Sequence, residues 1–237
     1  MSELLPNDEY SYIRANVEEV KREIRLACER AGREDGVRLV AVTKSATDEE
    51  LIALCRMGIS EIGENRPQEL ARRGDLLAAQ GLFPALHEIG NLQKNKVRLI
   101  APKVSLIHSL DDLSLAAEIA RQAEKLGRRI PVLVEINSAR EAQKGGVLPE
   151  DAEAFCEKVA KDERLALCGL MTMGPVLEDA EGYRPYFRRT KELLDRIADR
   201  FAIEDPILSM GMSDSFAVAV EEGATIVRVG RRLFQKG

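Results

Sequence analysis

Three features of the sequence put reactive or charged groups where apolar runs end. Lys44 closes VRLVAVTK (37–44), and strand parity sets Val40, Val42 and Lys44 on one face. If the two valines fill the inside of a barrel, the lysine points into its mouth and is partly desolvated. Burial disfavours the ammonium form, which lowers the pKa and frees the amine for a Schiff base with a carbonyl. The plainer alternative is a lysine that snorkels to solvent or pairs with Glu64. Arg228 is the second feature: it lies between Val227 and Val229 and shares parity with Ile226 and Gly230. A guanidinium inside an apolar strand is costly unless paired, so its partner is Glu64, Glu135 or a ligand atom.

The third feature is the pair SMGMSDS (209–215) and VRVG (227–230). Ser213 and Asp214 precede a helix expected from about Ser215, and Gly211 and Gly230 permit close backbone approach. Barrels often bind phosphate in the loops after strands seven and eight, with backbone N–H groups as donors. Ordinary capping explains the same serine and aspartate. HEIGNLQKNK (87–96) and NSAREAQKGG (137–146) are weaker signals; the second is either a lid over a site or a surface loop. His87 and His108 read as core or supporting residues, with no metal constellation and no Ser or Cys nucleophile motif around them.

These groups require elements that gather strand ends in one place. Eight apolar runs satisfy this: VRLVAVTK, EIGEN (61–65), ALHEIG (85–90), SLIHSL (105–110), PVLVEIN (131–137), LALCGLMTMG (165–174), PILSMGMS (206–213) and TIVRVG (225–230). Each except the last is followed by a clear helical stretch, among them Thr47 to about Met57 and a segment near 93–100. Before them, Ile13, Val17, Val20 and Ile24 mark an amphipathic helix with Asn7 as its expected cap and Gly32 as its stop. Strand–helix alternation implies a parallel sheet with right-handed crossovers. The expectation is an α/β fold: a single (β/α)8 TIM-type barrel domain over residues 1–237, with an extra N-terminal helix within 1–35 and the barrel over 37–235. A doubly wound open sheet is the main competitor, weakened because no GxGxxG follows the first strand.

Composition narrows the class. The net charge of −5 argues against nucleic acid as a partner, since phosphate neutralisation needs a basic patch. No apolar run approaches the 18–20 residues, roughly, that cross a bilayer, and the N-terminus lacks the pattern of a signal peptide. Cys28, Cys55, Cys156 and Cys168 are far apart with no CxxC pair, so reduced thiols in a cytoplasmic protein are expected.

Together, AVTKSAT, EIGEN, HEIGNLQKNK, IHSLD, LVEIN, GLMTMGP, SMGMSDS and VRVG resemble the pyridoxal phosphate (PLP) homeostasis protein family, in order, from about residue 10 to 235. The resemblance implies a PLP-binding single barrel related to the N-terminal domain of alanine racemase. It implies that Lys44 carries PLP as an internal aldimine and that Asn65 lines the site. Ser213 and the backbone around Gly230 would hold the phosphate, and Arg228 would face the pyridine nitrogen. An arginine there disfavours protonation of that nitrogen and leaves a weak electron sink. Two departures stand out: Arg231 where a Thr or Ser usually follows the glycine, and Glu88 where an apolar aromatic is common. Asn91 departs as well.

The family reading implies a carrier that buffers PLP and delivers it to apo PLP-dependent enzymes, as a monomer or weak dimer. The alternative is a PLP-dependent racemase or decarboxylase. Against it, a racemase needs an acid/base on each face of its substrate, and only Lys44 is evident. The chain also ends seven residues after Gly230, short of the second domain that supplies a catalytic tyrosine in alanine-racemase-like enzymes. A class I aldolase using Lys44 without PLP leaves Arg228, Ser213 and Gly230 unexplained.

Overall fold

A computed structural model describes residues 9–34, 36–141 and 143–236; Asn7 lies outside the described residues. Eight parallel strands close a barrel in chain order. They are β1 (Arg38–Val42), β2 (Glu61–Glu64), β3 (Ala85–Glu88), β4 (Leu106–Leu110), β5 (Ile130–Glu135), β6 (Leu165–Met171), β7 (Ile207–Ser209) and β8 (Ile226–Val229). Closure is made by β1 against β8, with Arg38 opposite Ile226 and Val40 opposite Arg228, which rules out the open sheet. The wall is covered by α2 (Asp48–Arg56), α3 (Pro67–Ala79), α4 (Val97–Ile100), α5 (Leu113–Leu126), α6 (Ala152–Ala160), α7 (Arg184–Phe201), α8 (Phe216–Glu221) and α9 (Arg231–Phe234).

α1 (Ser11–Arg30) packs over α8 and α9, where the four-residue α9 alone leaves the wall thinly covered. Ile13, Val17, Val20 and Ile24 supply its buried stripe. Asn16 Nδ2 donates to the carbonyls of Leu233 (3.2 Å) and Gln235 (2.9 Å), and Arg232 pairs with Glu23. α2 opens with a capping box between Thr47 and Glu50, so it starts where the sequence suggests. The segment near 93–100 is instead a 3-10 turn, Lys94–Lys96, leading into α4. Among the described residues no helix is long and apolar enough to cross a membrane. Burial pushes the Cys55 and Cys156 thiols up to about 11 and about 12, which keeps them protonated and unreactive.

Alternation along the strands divides the molecule into two layers of different chemistry. Ile62, Ile107, Val132, Val134, Leu170, Leu208, Val227 and Val229 face the helices and join one large apolar core. The apolar cluster inside the barrel is small: Val40, Leu106, Leu133, Met171 and Ile226, with Cys168 and Ile207 against it. Several other inward positions are polar. His108 shares parity with Leu106, Ser209 with Ile207, and Arg228 with Ile226.

The outer layer also holds a buried ion pair. Arg73 on α3 reaches Glu64 at the end of β2, and both are almost fully buried. The Thr43 hydroxyl donates to the same carboxylate. Arg73 donates further to the carbonyls of Thr43 (2.5 Å) and Ala46 (2.6 Å), which bracket Lys44 and Ser45. Glu64 therefore belongs to the helix side of the wall and is partner to neither Lys44 nor Arg228. Replacing Arg73 by Ala leaves the Glu64 carboxylate buried and unpaired, an expected loss of about 3–5 kcal/mol in urea unfolding. A loss below roughly 1 kcal/mol would mean the pair behaves as an exposed one.

Candidate functional site

The site residues expected from the sequence collect at the C-terminal ends of the strands, but with different exposures. β1 ends at Val42, so Lys44 falls in the turn beyond it and is exposed. The parity argument, which put this lysine in a desolvated mouth, is corrected: the strand stops too early to impose its alternation on residue 44. Lys44 shares an opening of about 470 Å³ with Ser45, Asn65, Arg66 and Glu69. Its turn is held from behind by the Arg73 bonds to Thr43 and Ala46. Asn65 follows β2, and its backbone is crossed closely by Gly90; a Cβ at Gly90 would lie 2.3 Å from the Asn65 carbonyl oxygen. The glycine of HEIG is thus a steric requirement of the loop that carries Asn65.

The turns after β7 and β8 lie together. A Cβ at Gly230 would stand 3.0 Å from the Val42 carbonyl oxygen, so the absence of a side chain brings this turn against the end of β1, two residues before Lys44. α8 begins at Phe216, and Ser215 rather than Ser213 or Asp214 organises its start by accepting from Met212 N at 3.2 Å. Capping therefore does not account for Ser213, which is half-buried in the turn. Arg231 reaches the Asp214 carboxylate, joining the two turns by an exposed ion pair.

Arg228 is 4% exposed. Its Nη1 donates to Ser209 Oγ at 2.6 Å and its Nη2 to the Thr172 carbonyl at 3.1 Å. Burial pushes its pKa down to about 10, partly countered by Glu135, so it remains charged at neutral pH. Burial, with Asp111 adding, pushes the Glu135 carboxyl up to about 7, against the pull of Arg228. Of the two acidic partners suggested by the sequence, Glu135 is the one near enough to act. The strand-end motifs contain Ser209 and Thr172, but nothing in them marks either as a partner of Arg228, because a serine or threonine in an apolar run carries no signal of its own.

His87 and His108 are fully buried. His108 Nδ1 lies 2.9 Å from Ser209 Oγ, and His108 Nε2 lies 2.9 Å from His87 Nδ1. The loop over 137–146 is tied to the rim by its own polar residues. Asn137 Nδ2 donates to the Glu141 (2.9 Å) and Lys144 (3.3 Å) carbonyls, and Gly146 N donates to Asp111 Oδ2 at 2.9 Å.

A closed eight-stranded barrel with a lysine, an arginine and two glycine turns at one mouth defines a single-barrel protein of the alanine racemase type. The alanine racemase N-terminal domain family matches residues 15–235. A pyridoxal phosphate homeostasis protein of Aquifex aeolicus (strain VF5) is 43% identical over 216 residues, covering 91% of this chain and 94% of that one. The structure of PipY of Synechococcus elongatus PCC7942 with PLP bound superimposes with a TM-score of 0.77 at 29% identity, covering 90% of this chain and 99% of PipY. A protein of unknown function from Bifidobacterium adolescentis superimposes with a TM-score of 0.87 at 34% identity, covering 98% of each chain. The chain belongs to the alanine racemase N-terminal domain family and, within it, to the pyridoxal phosphate homeostasis proteins.

Glu88, one of the departures from the family pattern, is fully buried behind β3. Its Oε1 accepts from Gly90 N at 3.1 Å, while Oε2 meets no partner. Burial, with Glu64 adding, pushes its pKa up to about 8 despite the Gly90 N–H, so it carries a proton at neutral pH. The folded state then binds this proton more tightly than the unfolded chain. Its contribution to stability is complete below the ordinary value of 4.5 and is lost as pH rises toward about 8. Glu88→Gln should flatten this dependence and raise stability at pH 8 by an amount on the order of 2–4 kcal/mol, read by urea unfolding across the range. An unchanged pH profile in the variant would contradict the assignment.

Proposed function

We propose that the protein binds pyridoxal 5'-phosphate at the C-terminal mouth of the barrel, with the whole chain acting as one PLP-binding unit. In this reading it buffers the cofactor and delivers it to apo PLP-dependent enzymes in the cytoplasm, as a monomer or weak dimer. The observation that carries the reading is the donor set gathered at one mouth. An exposed primary amine, Lys44, lies in the turn beside Gly230, and a guanidinium, Arg228, lies buried on β8 two residues before Gly230. That set fits a molecule with an aldehyde, an anionic arm and a basic ring nitrogen. The PLP bound by the PipY relative supports the same choice of cofactor.

Each residue then has a separate task. Lys44 holds PLP by a reversible covalent bond to its aldehyde, and Asn65 lines the opening beside it. Ser213, free of capping duty, and the backbone at Gly230 receive the phosphate. Arg231 is engaged by Asp214 and acts on the phosphate side as a tie between turns. Arg228 faces the ring nitrogen, and because it is a donor already charged, it disfavours a proton there.

Bound PLP supplies an electrophilic centre and, when its ring nitrogen is protonated, an electron sink; a positively charged Arg228 weakens the second function. Turnover also needs a proton donor on the face opposite Lys44. Tyr183 is buried and its hydroxyl accepts from Leu177 N, while Tyr12 donates to Glu50 on the helix side. Both hydroxyls are thus engaged by other groups, and Glu135, at the Arg228 end, is the remaining acid near the mouth. This arrangement favours holding and release over racemisation or decarboxylation.

Borohydride treatment of the PLP-loaded protein should fix one cofactor on the peptide containing Lys44, and Lys44→Ala should abolish fixation. Fixation elsewhere, or none, would overturn the reading. Alanine racemisation that disappears in Lys44→Ala would make the protein an enzyme instead of a carrier.

A further inference from the structure

The polar groups inside the barrel form a continuous chain from one end of it to the other. Glu61 opens β2 and Arg38 opens β1, at the end opposite the mouth, where both border an opening of about 620 Å³. Arg38 grips the Glu61 carboxylate with Nε at 2.9 Å and Nη2 at 2.7 Å. Glu61 Oε2 lies 3.2 Å from His87 Nε2, a contact that is long and poorly aligned and so the weakest in the series. From His87 the series runs through His108 and Ser209 to Arg228, with separations of 2.9, 2.9 and 2.6 Å.

The contact with Glu61 selects one proton order in this chain. Burial works to raise the Glu61 pKa, but the bonds from His87 and Arg38 prevail and hold it down to about 2, so Glu61 is an anion. A carboxylate can only accept, so the contact with Glu61 favours a proton on His87 Nε2 and leaves Nδ1 as the acceptor toward His108. His108 then donates from Nε2, and its Nδ1 accepts from the Ser209 hydroxyl. His108 stays neutral because burial, with His87, Arg228 and Arg38 adding, holds its pKa well below the usual imidazole value. Ser209 Oγ, having given its proton toward His108, presents its lone pairs to Arg228, which can only donate. Glu135 and Asp111 are the other ionisable groups acting at the mouth end.

We propose that Glu61, His87 and His108 are positioning residues for Arg228: they order the Ser209 hydroxyl, which fixes the guanidinium, and thereby link the far end of the barrel to the ring-nitrogen side of the cofactor site. The last link rests on the PLP reading above, whereas the proton order belongs to the protein alone. Glu61 is separated from Arg228 by one ionic contact and three hydrogen bonds, too remote to touch a ligand at the mouth. Its influence on the site therefore has to pass through the two imidazoles.

The chain has only two histidines, so long-range ¹H–¹⁵N correlation on the cofactor-free protein reads both rings without ambiguity. Both rings should carry a proton on Nε2, with Nδ1 as the acceptor. Glu61→Ala removes the acceptor that holds the proton on His87 Nε2, so the Nδ1–H form should gain population in both rings. Ser209→Ala, which breaks the other end, should leave His87 unchanged and alter only His108. A proton on Nδ1 of either ring in the wild-type protein, or Glu61→Ala rings identical to wild type, would overturn the ordered chain.

Loaded with PLP, Glu61→Ala should bind the cofactor about 3- to 10-fold more weakly, the worth of one hydrogen bond. It should also shift the pH midpoint of the bound cofactor's absorbance, which a loss of packing alone would not move. An unchanged affinity and an unchanged midpoint would overturn the link to the cofactor. A wild-type protein that fails to take PLP would instead strike the preceding proposal and leave the proton order to stand on the cofactor-free spectra.

Discussion

A guanidinium enclosed within a closed parallel barrel has to find its acceptors in the wall itself, and the rest of the interior follows from that requirement. Arg228 uses a serine hydroxyl and a main-chain carbonyl, and the serine is in turn committed to a histidine. Once these positions are polar, the inward-facing apolar cluster shrinks to a few residues. Stability has to come from the other face of the wall, where the strands and helices share one large apolar core. The two faces of each strand therefore have separate work: the outward face holds the barrel together and the inward face sets the electrostatics of its mouth.

The same division accounts for the contrast between the two key cations. Arg228 is buried and its geometry is determined from within the barrel. Lys44 is exposed, and its turn is determined from outside, by Arg73 reaching around the end of β1 to the carbonyls on either side of it. An exposed amine beside a buried charge suits a cofactor that must be captured and given up. In the proposed reading the reactive end would stay open to incoming and departing molecules, while the buried end would set the electronic character of the ring.

Much of this was legible in the sequence because the barrel repeats one pattern. Eight apolar runs separated by helical stretches are enough to give strand count, direction and the rim on which Lys44, Asn65, Ser213 and Gly230 gather. Parity along β8 correctly singled out Arg228 as an anomaly. Parity along β1 failed at Lys44, since alternation is a property of the hydrogen-bonded strand and β1 ends two residues earlier. The Ser209–His108–His87–Glu61 series was invisible for another reason. Its members come from four strands, and their contacts depend on the stagger of the closed sheet, which no local pattern encodes. Glu64 was misread for the same reason: its neighbour is Arg73 on a helix, not a charge at the mouth.

The central claim is that a charged arginine, ordered by the barrel interior, faces the cofactor's ring nitrogen and keeps it free of a proton. The most direct measurement is the ¹⁵N chemical shift of PLP labelled at that nitrogen and bound to the protein. The account predicts an unprotonated pyridine nitrogen throughout the neutral range, where Arg228 remains charged. A pyridinium shift at neutral pH would contradict it.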